Sequence, residues 1–250
     1  MSAAPAVHAR TSTLDGPGGP LAVYEARPDE PTSGVLLIHE AFGVTDHITD
    51  VARRLARLGH YVVAPDFFHR GGTGTVAPYH DIQQAIPFFR SLSGDDDLLA
   101  DADTALEHLR RQGFEDARIG VLGFCFGGRV SFLVGARRPL GAAVTFYGGG
   151  IMKANPFLPF PDLVGDAATM RTPWLGLYGA EDHGIPADEV DALERETSGA
   201  PVETRLLRYP GAGHAFHNEL LPSHHERAAA AAWAEATAWL HAHGVTPAAP

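Results

Sequence analysis

Short apolar runs alternate along the chain with segments of helical periodicity, and this alternation restricts the fold more than any other feature of the sequence. The runs VLLIHE at 35–40, YVVAP at 61–65 and RIGVLG at 118–123 lack the in–out alternation of a half-exposed strand. Strands buried on both faces are typical of parallel sheets, because crossover helices cover both sides. The alternation therefore predicts an α/β fold with a mostly parallel central sheet and helices on both faces.

The segments between these runs carry the start and stop signals of helices. DHITDVARRLARLG at 46–59 repeats its apolar residues at helical spacing, with Asp46 as the expected N-cap and Gly59 as the stop. Residues 95–113 begin with three acidic residues and end near two arginines, which complements the helix dipole. Further strands are predicted at 142–148, 174–179 and 202–210, and further helices at 126–137, 186–199 and 226–244.

The N-terminal end of the chain differs in composition from its body. Residues 1–19 are small or polar and end in glycine and proline, so we predict a flexible N-terminal segment there. Residues 20–250 contain no repeat and no linker-like stretch, and we expect them to form a single domain.

The overall charge of the chain restricts its partners. A formal net charge of −11 repels phosphate backbones and anionic membrane surfaces. There is no apolar run of about 18 residues and no signal-peptide pattern, and the single cysteine allows no internal disulfide. We therefore expect a cytoplasmic monomer or weak homo-oligomer that acts on a small molecule and binds neither nucleic acid nor membrane.

The stretch GFCFGG at 123–128 surrounds the single cysteine with glycines between a predicted strand and a predicted helix. Strand, G-x-nucleophile-x-G and helix form the nucleophile elbow, in which close backbone approaches require glycine on both sides. Gly123 and Gly127 then flank Cys125, and the helix N-terminus favours its thiolate. The alternative is a buried core cysteine beside a strand–helix turn.

Two further polar residues follow strand ends in the order that this fold uses, which is nucleophile, acid and then histidine. GAEDHGIP supplies Asp182, and GAGHAFHN supplies His214. Because the carboxyl ends of parallel strands share one edge of the sheet, these side chains are expected to meet Cys125 there. Glu181 competes for the role of the acid, Asp182 could instead cap a turn, and His214 could be a solvated loop histidine.

The segment after the first long strand supplies candidates for the rest of the site. We assign the oxyanion donors to the backbone N–H groups of Ala41 and Phe126. Glu40 is expected to point at the thiol, where a carboxylate opposes thiolate formation, although it could also be a surface or helix-dipole residue. The residues expected to line the substrate pocket, each of which is also a reasonable core or loop residue, are Phe42, Tyr147, Phe216 and His217.

These motifs resemble those of the dienelactone hydrolase family of α/β-hydrolases over residues 20–243. The motifs that carry the resemblance are HEAFG at 39–43, GFCFGG at 123–128, YGGG at 147–150, GAED at 179–182 and GAGHAF at 211–216. The resemblance implies the α/β-hydrolase fold and acyl transfer from a lactone or ester to a cysteine, followed by hydrolysis. It further implies Cys125 as nucleophile, His214 as base, Asp182 as its orienting acid and Glu40 as the carboxylate that controls thiol protonation.

One departure from the family pattern bears on the substrate. Members that act on dienelactone hold its carboxylate with arginines, one of them in G-H-S-F-x-R, whereas this chain has HAFHN at 214–218. The second arginine is expected within 76–90, where Arg90 stands alone. Since asparagine and histidine do not replace a bidentate arginine, we do not expect a dienelactone as the natural substrate.

The proline-rich stretch 150–171 is a candidate cover for the pocket. Its apolar side chains would favour an apolar acyl group, and the alternative is an irregular surface loop. The apolar residues in question are Ile151, Met152, Phe157, Leu158 and Phe160.

Other classes of function are weaker readings of the same residues. His214-x-x-His217 and His224-His225 match no common zinc spacing, and GFCFGG lacks the second glycine of a dinucleotide fingerprint. We therefore predict neither a metal nor a cofactor. Because fold does not fix function, two alternatives stay open: a ligand-binding or redox-reactive thiol protein, and an acyl transferase or lactone-forming enzyme.

Overall fold

The computed structural model describes residues 6–72, 74, 76–154 and 158–246. Its described strands are β1 (His8–Gly16), β2 (Gly19–Arg27), β3 (Ser33–Ile38), β4 (His60–Pro65), β5 (Ile119–Phe124), β6 (Ala142–Phe146), β7 (Trp174–Gly179) and β8 (Thr204–Tyr209). They form a single sheet in the order β1-β2-β4-β3-β5-β6-β7-β8. The pairs β1–β2 and β2–β4 are antiparallel and the others are parallel, which confirms the predicted mostly parallel sheet.

The described helices are α1 (Asp46–Arg57), α2 (Ile86–Phe89), α3 (Asp95–Arg111), α4 (Phe126–Arg137), α5 (Val164–Ala167), α6 (Ala187–Thr197) and α7 (Glu226–Ala242). Two glycines in adjacent strands show that the helices cover both faces of the sheet. A Cβ at Gly34 of β3 would contact Leu109 of α3, whereas one at Gly120 of β5 would contact Leu240 of α7. Gly120 pairs with Val35, the neighbour of Gly34, so the two glycines point to opposite faces.

The predicted elements are confirmed with small shifts of their ends. α1 begins after Thr45, not after the predicted cap Asp46, which lies in the first turn. The Thr45 hydroxyl bonds to Tyr79 at 2.7 Å rather than capping the helix. Gly59 follows α1 with φ 98°, the left-handed conformation expected at a helix stop.

The predicted flexible segment 1–19 is wrong over residues 8–16, which form the edge strand β1. β1 pairs with β2 along its whole length, with Gly16 opposite Gly19 across a tight turn. Its sequence, HARTSTLDG, is mostly exposed, so hydrophobicity gave no signal for a strand. Backbone hydrogen bonds to β2 hold it, as they do in polar edge strands generally. Residues 1–5 lie outside the described residues.

The parallel strands all point their carboxyl ends at one edge of the sheet. The residues that follow these ends are Glu40 after β3, Cys125 after β5, Tyr147 after β6, Asp182 after β7 and His214 after β8. In open α/β sheets ligands bind at this edge, so the topology gathers the predicted site residues where a site is expected. Among the described helices, none has both the length and the apolar character needed to cross a bilayer.

Candidate active site

Cys125 stands on a sharp bend between β5 and α4. Its backbone has φ 54° and ψ −114°, a conformation that costs a non-glycine residue free energy. A Cβ at Gly123 would overlap the Gly127 carbonyl, and a Cβ at Gly127 would overlap the Ile38 carbonyl. One at Gly128 would lie 2.6 Å from a carbonyl oxygen of β6. The glycines therefore serve backbone packing at the bend, which confirms the elbow geometry and leaves the sulfur partly exposed.

The structure brings Cys125, His214 and Asp182 into one hydrogen-bonded chain. His214 Nε2 lies 3.2 Å from Cys125 Sγ, and its Nδ1 lies 2.7 Å from Asp182 Oδ2. Asp182 is buried, and its other oxygen accepts hydrogen bonds from the backbone N–H groups of Gly184 and Ile185 at 2.8 and 3.2 Å. This anchoring fixes the carboxylate that orients the imidazole.

The competing acid Glu181 lies on the surface. Glu181 is exposed to solvent, whereas the adjacent Asp182 is only 5% exposed and faces the imidazole. The geometry therefore selects Asp182 as the partner of His214.

His214 favours its protonated form. Burial opposes the charged imidazole, but the Cys125 sulfur and the Asp182 carboxylate outweigh burial and raise the pKa of His214 well above 6.5. A cationic imidazole and a helix N-terminus next to a cysteine form the environment in which proteins use a thiolate nucleophile. The arrangement can therefore carry nucleophilic chemistry at the sulfur.

Glu40 is buried beside the hydrogen-bonded residues Cys125 and His214 rather than lying on the surface. Its Oε2 accepts hydrogen bonds from Asn218 Nδ2 at 2.8 Å and from the Tyr79 hydroxyl at 3.4 Å. Its Oε1 and the nearby Tyr147 hydroxyl have no hydrogen-bond partner among the described residues. Burial raises the pKa of Glu40 to about 7, which places its titration in the neutral range.

The two predicted oxyanion donors border the space above the sulfur. Ala41 and Phe126 line the same cavity as Cys125 and His214. In the described part of the chain, neither backbone N–H donates to a protein acceptor. Both groups are therefore free to bind a ligand oxygen.

A cavity of about 520 Å³ opens over Cys125. Most of its wall is apolar, and of its large apolar side chains the sequence analysis singled out Leu158 and Phe160 but missed Ile82, Ile86, Phe89 and Ile185. A signal existed within 82–89, where apolar residues recur at near-helical spacing. The apolar side chains in the wall include Ile82, Ile86, Phe89, Leu158, Phe160 and Ile185.

The four residues predicted to line the pocket lie outside this wall. Tyr147 and Phe216 are fully buried, and the centroids of their rings lie 5.3 Å apart. Tyr147 also packs edge-on against the His214 ring at 5.3 Å, so it supports the imidazole from the core side. His217 is buried among aromatic rings, and Phe42 is half-buried beside another ring. Proximity in sequence to a site residue did not distinguish a pocket wall from the packing beneath it.

The stretch 150–171 contributes part of the cavity wall. Leu158 and Phe160 line the cavity, whereas Ile151 is buried in the core and Met152 packs against it. Phe157 lies outside the described residues. The stretch also contains the short helix α5, so it is not entirely irregular.

Arg129 is the arginine in the described wall, and its donors are engaged. It forms an ion pair with Asp95 through two hydrogen bonds of 2.7 and 3.2 Å, and it donates to the carbonyls of Gly150 and Pro161. Arg90 is exposed and does not line the cavity. The described wall thus lacks a free arginine that could hold a substrate carboxylate. The described residues also contain no cluster of three or more potential metal ligands.

Comparison with known proteins gives consistent matches over nearly the whole chain. The model of the Dienelactone hydrolase family matches residues 21–244. A "Putative carboxymethylenebutenolidase" of Yersinia pestis is 34% identical over 245 residues, covering 96% of this chain and 90% of the relative. A protein of the same name from Methylorubrum extorquens is 36% identical over 231 residues, covering 91% of this chain and 78% of the relative.

Two solved structures also superpose on this protein over nearly the whole of its chain. The crystal structure of a "Putative Dienelactone Hydrolase" from Klebsiella pneumoniae superposes with a TM-score of 0.85 at 34% identity, covering 94% of this chain and 98% of that chain. A dienelactone hydrolase-like promiscuous phosphotriesterase from metagenomic libraries superposes with a TM-score of 0.77 at 26% identity, covering 92% and 96%. The fold is therefore shared along the full length of both.

Proposed function

The chain belongs to the dienelactone hydrolase family and is a hydrolase of carboxylic ester bonds, and we propose that it cleaves them through an acyl-enzyme on Cys125. The observation that carries the proposal is the hydrogen-bonded chain from Cys125 through His214 to Asp182 at the floor of an apolar cavity. Nucleophile, base and orienting acid in contact are the signature of covalent catalysis.

The first half-reaction transfers the acyl group to sulfur. The Cys125 thiolate attacks the ester carbonyl carbon, a C–S bond forms, and negative charge moves to the carbonyl oxygen. The free N–H groups of Ala41 and Phe126 would bind that oxygen. When the tetrahedral intermediate collapses, the ester C–O bond breaks and His214 gives its proton to the departing alkoxide.

The second half-reaction returns the enzyme to its starting state. His214 takes a proton from a water molecule, whose oxygen attacks the thioester carbon. The C–S bond then breaks, the carboxylic acid product leaves, and Asp182 keeps the imidazole oriented throughout. In a lactone the alcohol and the acid stay in one molecule, so the same steps open the ring.

Glu40 would control the protonation of the thiol. A carboxylate at this position disfavours a second negative charge on Cys125, whereas a neutral carboxyl does not. Its burial and its titration near neutral pH support this role.

The cavity favours an uncharged substrate with an apolar acyl group. Its wall is largely apolar, and the guanidinium of Arg129 is already paired with Asp95. We therefore propose a small neutral ester or lactone rather than an anionic dienelactone as the substrate class.

Stopped-flow hydrolysis of p-nitrophenyl butyrate tests the proposal. We expect a burst of p-nitrophenol that approaches one equivalent per active site, provided that deacylation is the slower step, and loss of turnover in Cys125→Ala and His214→Ala. The exposed neighbour His183 offers a matched control, and His183→Ala should retain activity. Full turnover in Cys125→Ala would refute the acyl-enzyme, and binding without turnover in the wild type would favour a ligand-binding protein.

A further inference from the structure

Asn218 is a fully buried amide whose orientation is fixed by its neighbours. Its Oδ1 accepts a hydrogen bond from the Leu220 backbone N–H at 3.0 Å, so its NH₂ group must point the other way. That group donates to Glu40 Oε2 at 2.8 Å. The backbone of Asn218 is held as well, since its N–H donates to the Ala215 carbonyl at 3.0 Å. The chain therefore uses Asn218 to hold one oxygen of the Glu40 carboxyl.

Apart from His214, the other groups that face Glu40 are uncharged. Tyr79 approaches from the loop before α2, and Tyr147 faces it from the end of β6. Burial raises the pKa values of both phenols, so they stay neutral. The imidazole of His214 lies close enough to interact electrostatically with the Glu40 carboxylate. Among the described residues, no lysine or arginine pairs with Glu40.

A second buried glutamate, Glu25, shows that several hydrogen-bond donors acting together can lower a carboxyl pKa despite burial. The Glu25 side chain is also shielded from solvent, but its site is less deeply buried than that of Glu40, and it accepts hydrogen bonds from His108 and Arg10, each at 3.3 Å, and from two hydroxyl groups. Burial alone would raise the pKa of Glu25, yet these partners outweigh it and lower that pKa far below its usual range. Glu40, held by the neutral amide of Asn218, shifts in the opposite direction.

We propose that Asn218 is a positioning residue that holds the Glu40 carboxyl beside the Cys125–His214 pair without compensating its charge. The protonation state of the Glu40 carboxyl held in this way then sets the pH at which the sulfur becomes reactive. The inference rests on the proposed role of Cys125 as nucleophile and Glu40 as its regulator. The position of the Glu40 titration can nevertheless be measured without any turnover.

The primary test is a ¹³C NMR titration of the Glu40 carboxyl, assigned by its absence in Glu40→Gln. The wild type should titrate close to pH 7. Asn218→Arg, which places the arginine of G-H-S-F-x-R at this position, should lower the midpoint by about one to three pH units. Asn218→Asp preserves the shape of the side chain but places a second carboxyl beside that of Glu40. The two carboxyls then titrate as a pair, and the higher of their two midpoints should lie above the wild-type midpoint. Tyr79→Phe, which removes the longer of the two contacts with Glu40, at 3.4 Å, together with the hydroxyl contact to Thr45, should move the Glu40 midpoint less.

The outcomes decide the inference even where a variant does not fold. A wild-type midpoint near 4.5 overturns it without any substitution, and so does a midpoint that stays the same in folded Asn218→Asp and Asn218→Arg. Alkylation of Cys125 by iodoacetamide, followed against pH, then tests the link to the sulfur. A change in rate at the Glu40 midpoint that moves with each variant supports the link, and a profile indifferent to Asn218 and Glu40 contradicts it. Failure of ester turnover with these shifts intact would count against the proposed function alone.

Discussion

Cys125, Tyr147 and Ala215 have φ values of 54°, 39° and 56°, and they are the non-glycine residues with positive φ in the described part of the chain. Each costs the fold free energy of order 1–3 kcal/mol, and such strain persists where the surrounding structure enforces it. All three lie at the carboxyl edge of the sheet, at or beside the hydrogen-bonded chain. At the scale of single residues, the strained backbone and the candidate chemistry therefore coincide.

The role of Asp182 can be separated from that of its neighbour by a pair of substitutions. Asp182→Asn preserves the shape but no longer holds the imidazole in the productive tautomer, and kcat should fall by about a thousand- to ten-thousandfold. Glu181→Gln, at the exposed neighbouring position, should change kcat little. Comparable losses in both variants, measured as ester hydrolysis, would contradict the assignment.

Glu40 should reduce stability at alkaline pH. Its folded pKa of about 7 exceeds the ordinary 4.5, so its burial has no electrostatic cost below pH 4.5 and reaches its full cost above pH 7. Glu40→Gln should therefore raise the free energy of unfolding by about 3 kcal/mol at pH 8 and change it little at pH 4.5. Urea denaturation at the two pH values measures this difference. An equal effect at both values would show that ionisation is not the cause.

The residues that sequence reasoning identified are those with a motif and an order. Cys125 is marked by its glycines, and Asp182 and His214 by their places after successive strands. Asn218 has no comparable signal, because its role depends on which way its amide points and on the burial of Glu40. Both are properties of packing, and a local pattern does not contain them.

At the scale of elements, the bend between β5 and α4 depends on the absence of a side chain at Gly123. A Cβ there would overlap the Gly127 carbonyl, which belongs to the backbone of α4 and not to a flexible side chain. Gly123→Ala should destabilise the protein by more than about 4 kcal/mol or prevent folding. Gly165→Ala in α5 is the matched control, because nothing lies within 4 Å of its Cβ. Its thermal midpoint should stay the same or rise slightly, and an equal loss in both variants would count against the elbow.

Elements with continuous apolar runs were predictable, whereas those held by backbone pairing were not. β3, β5 and β6 are buried at every residue, so their composition alone distinguishes them. β1 buries little of its surface and gains its hydrogen bonds from β2, a contact that a local window does not contain. The cavity wall within 82–89 was missed for the same reason, since it is defined by what faces Cys125 across space.

At the scale of the whole molecule, three buried histidines should make the fold sensitive to acid. Burial lowers the pKa values of His47 and His60 to about 4 and that of His217 well below 6.5. The unfolded chain takes up protons at these sites below pH 6.5, so their contribution to stability is complete above that pH and is lost as pH falls towards 4. His47 and His60 should each contribute a loss of about 2 kcal/mol at pH 5, and His217 adds to this loss. Glu40 and His214, whose folded pKa values are raised, act in the opposite direction over this range, so the histidine effect is measured by comparing variants with the wild type.

Urea denaturation at pH 7.5 and pH 5 measures the balance. Between pH 7.5 and pH 5, the change in the free energy of unfolding should differ by about 2 kcal/mol between His60→Gln and the wild type, with the variant losing less or gaining more. His183→Gln, at an exposed position, should leave this change as it is in the wild type. A His60→Gln variant whose stability changes with pH as the wild type's does would contradict the view that His60 is buried in its neutral form.

The fold and the meeting of the site residues followed from the sequence for one topological reason. A parallel sheet places the carboxyl ends of its strands at one edge, so residues far apart in the chain become neighbours once the strands are recognised. Cys125 and His214 are 89 positions apart and still lie 3.2 Å from each other. The wall of the cavity had no such rule, because loops and short helices from several elements build it.

Mass spectrometry of the quenched reaction is the most direct test of the acyl-enzyme. The wild type mixed with p-nitrophenyl butyrate and quenched in acid within milliseconds should carry one butyryl group, located by peptide mapping on Cys125. The group should be absent from Cys125→Ala. Steady turnover with no acyl group on the sulfur, or with the group on another residue, would contradict the account.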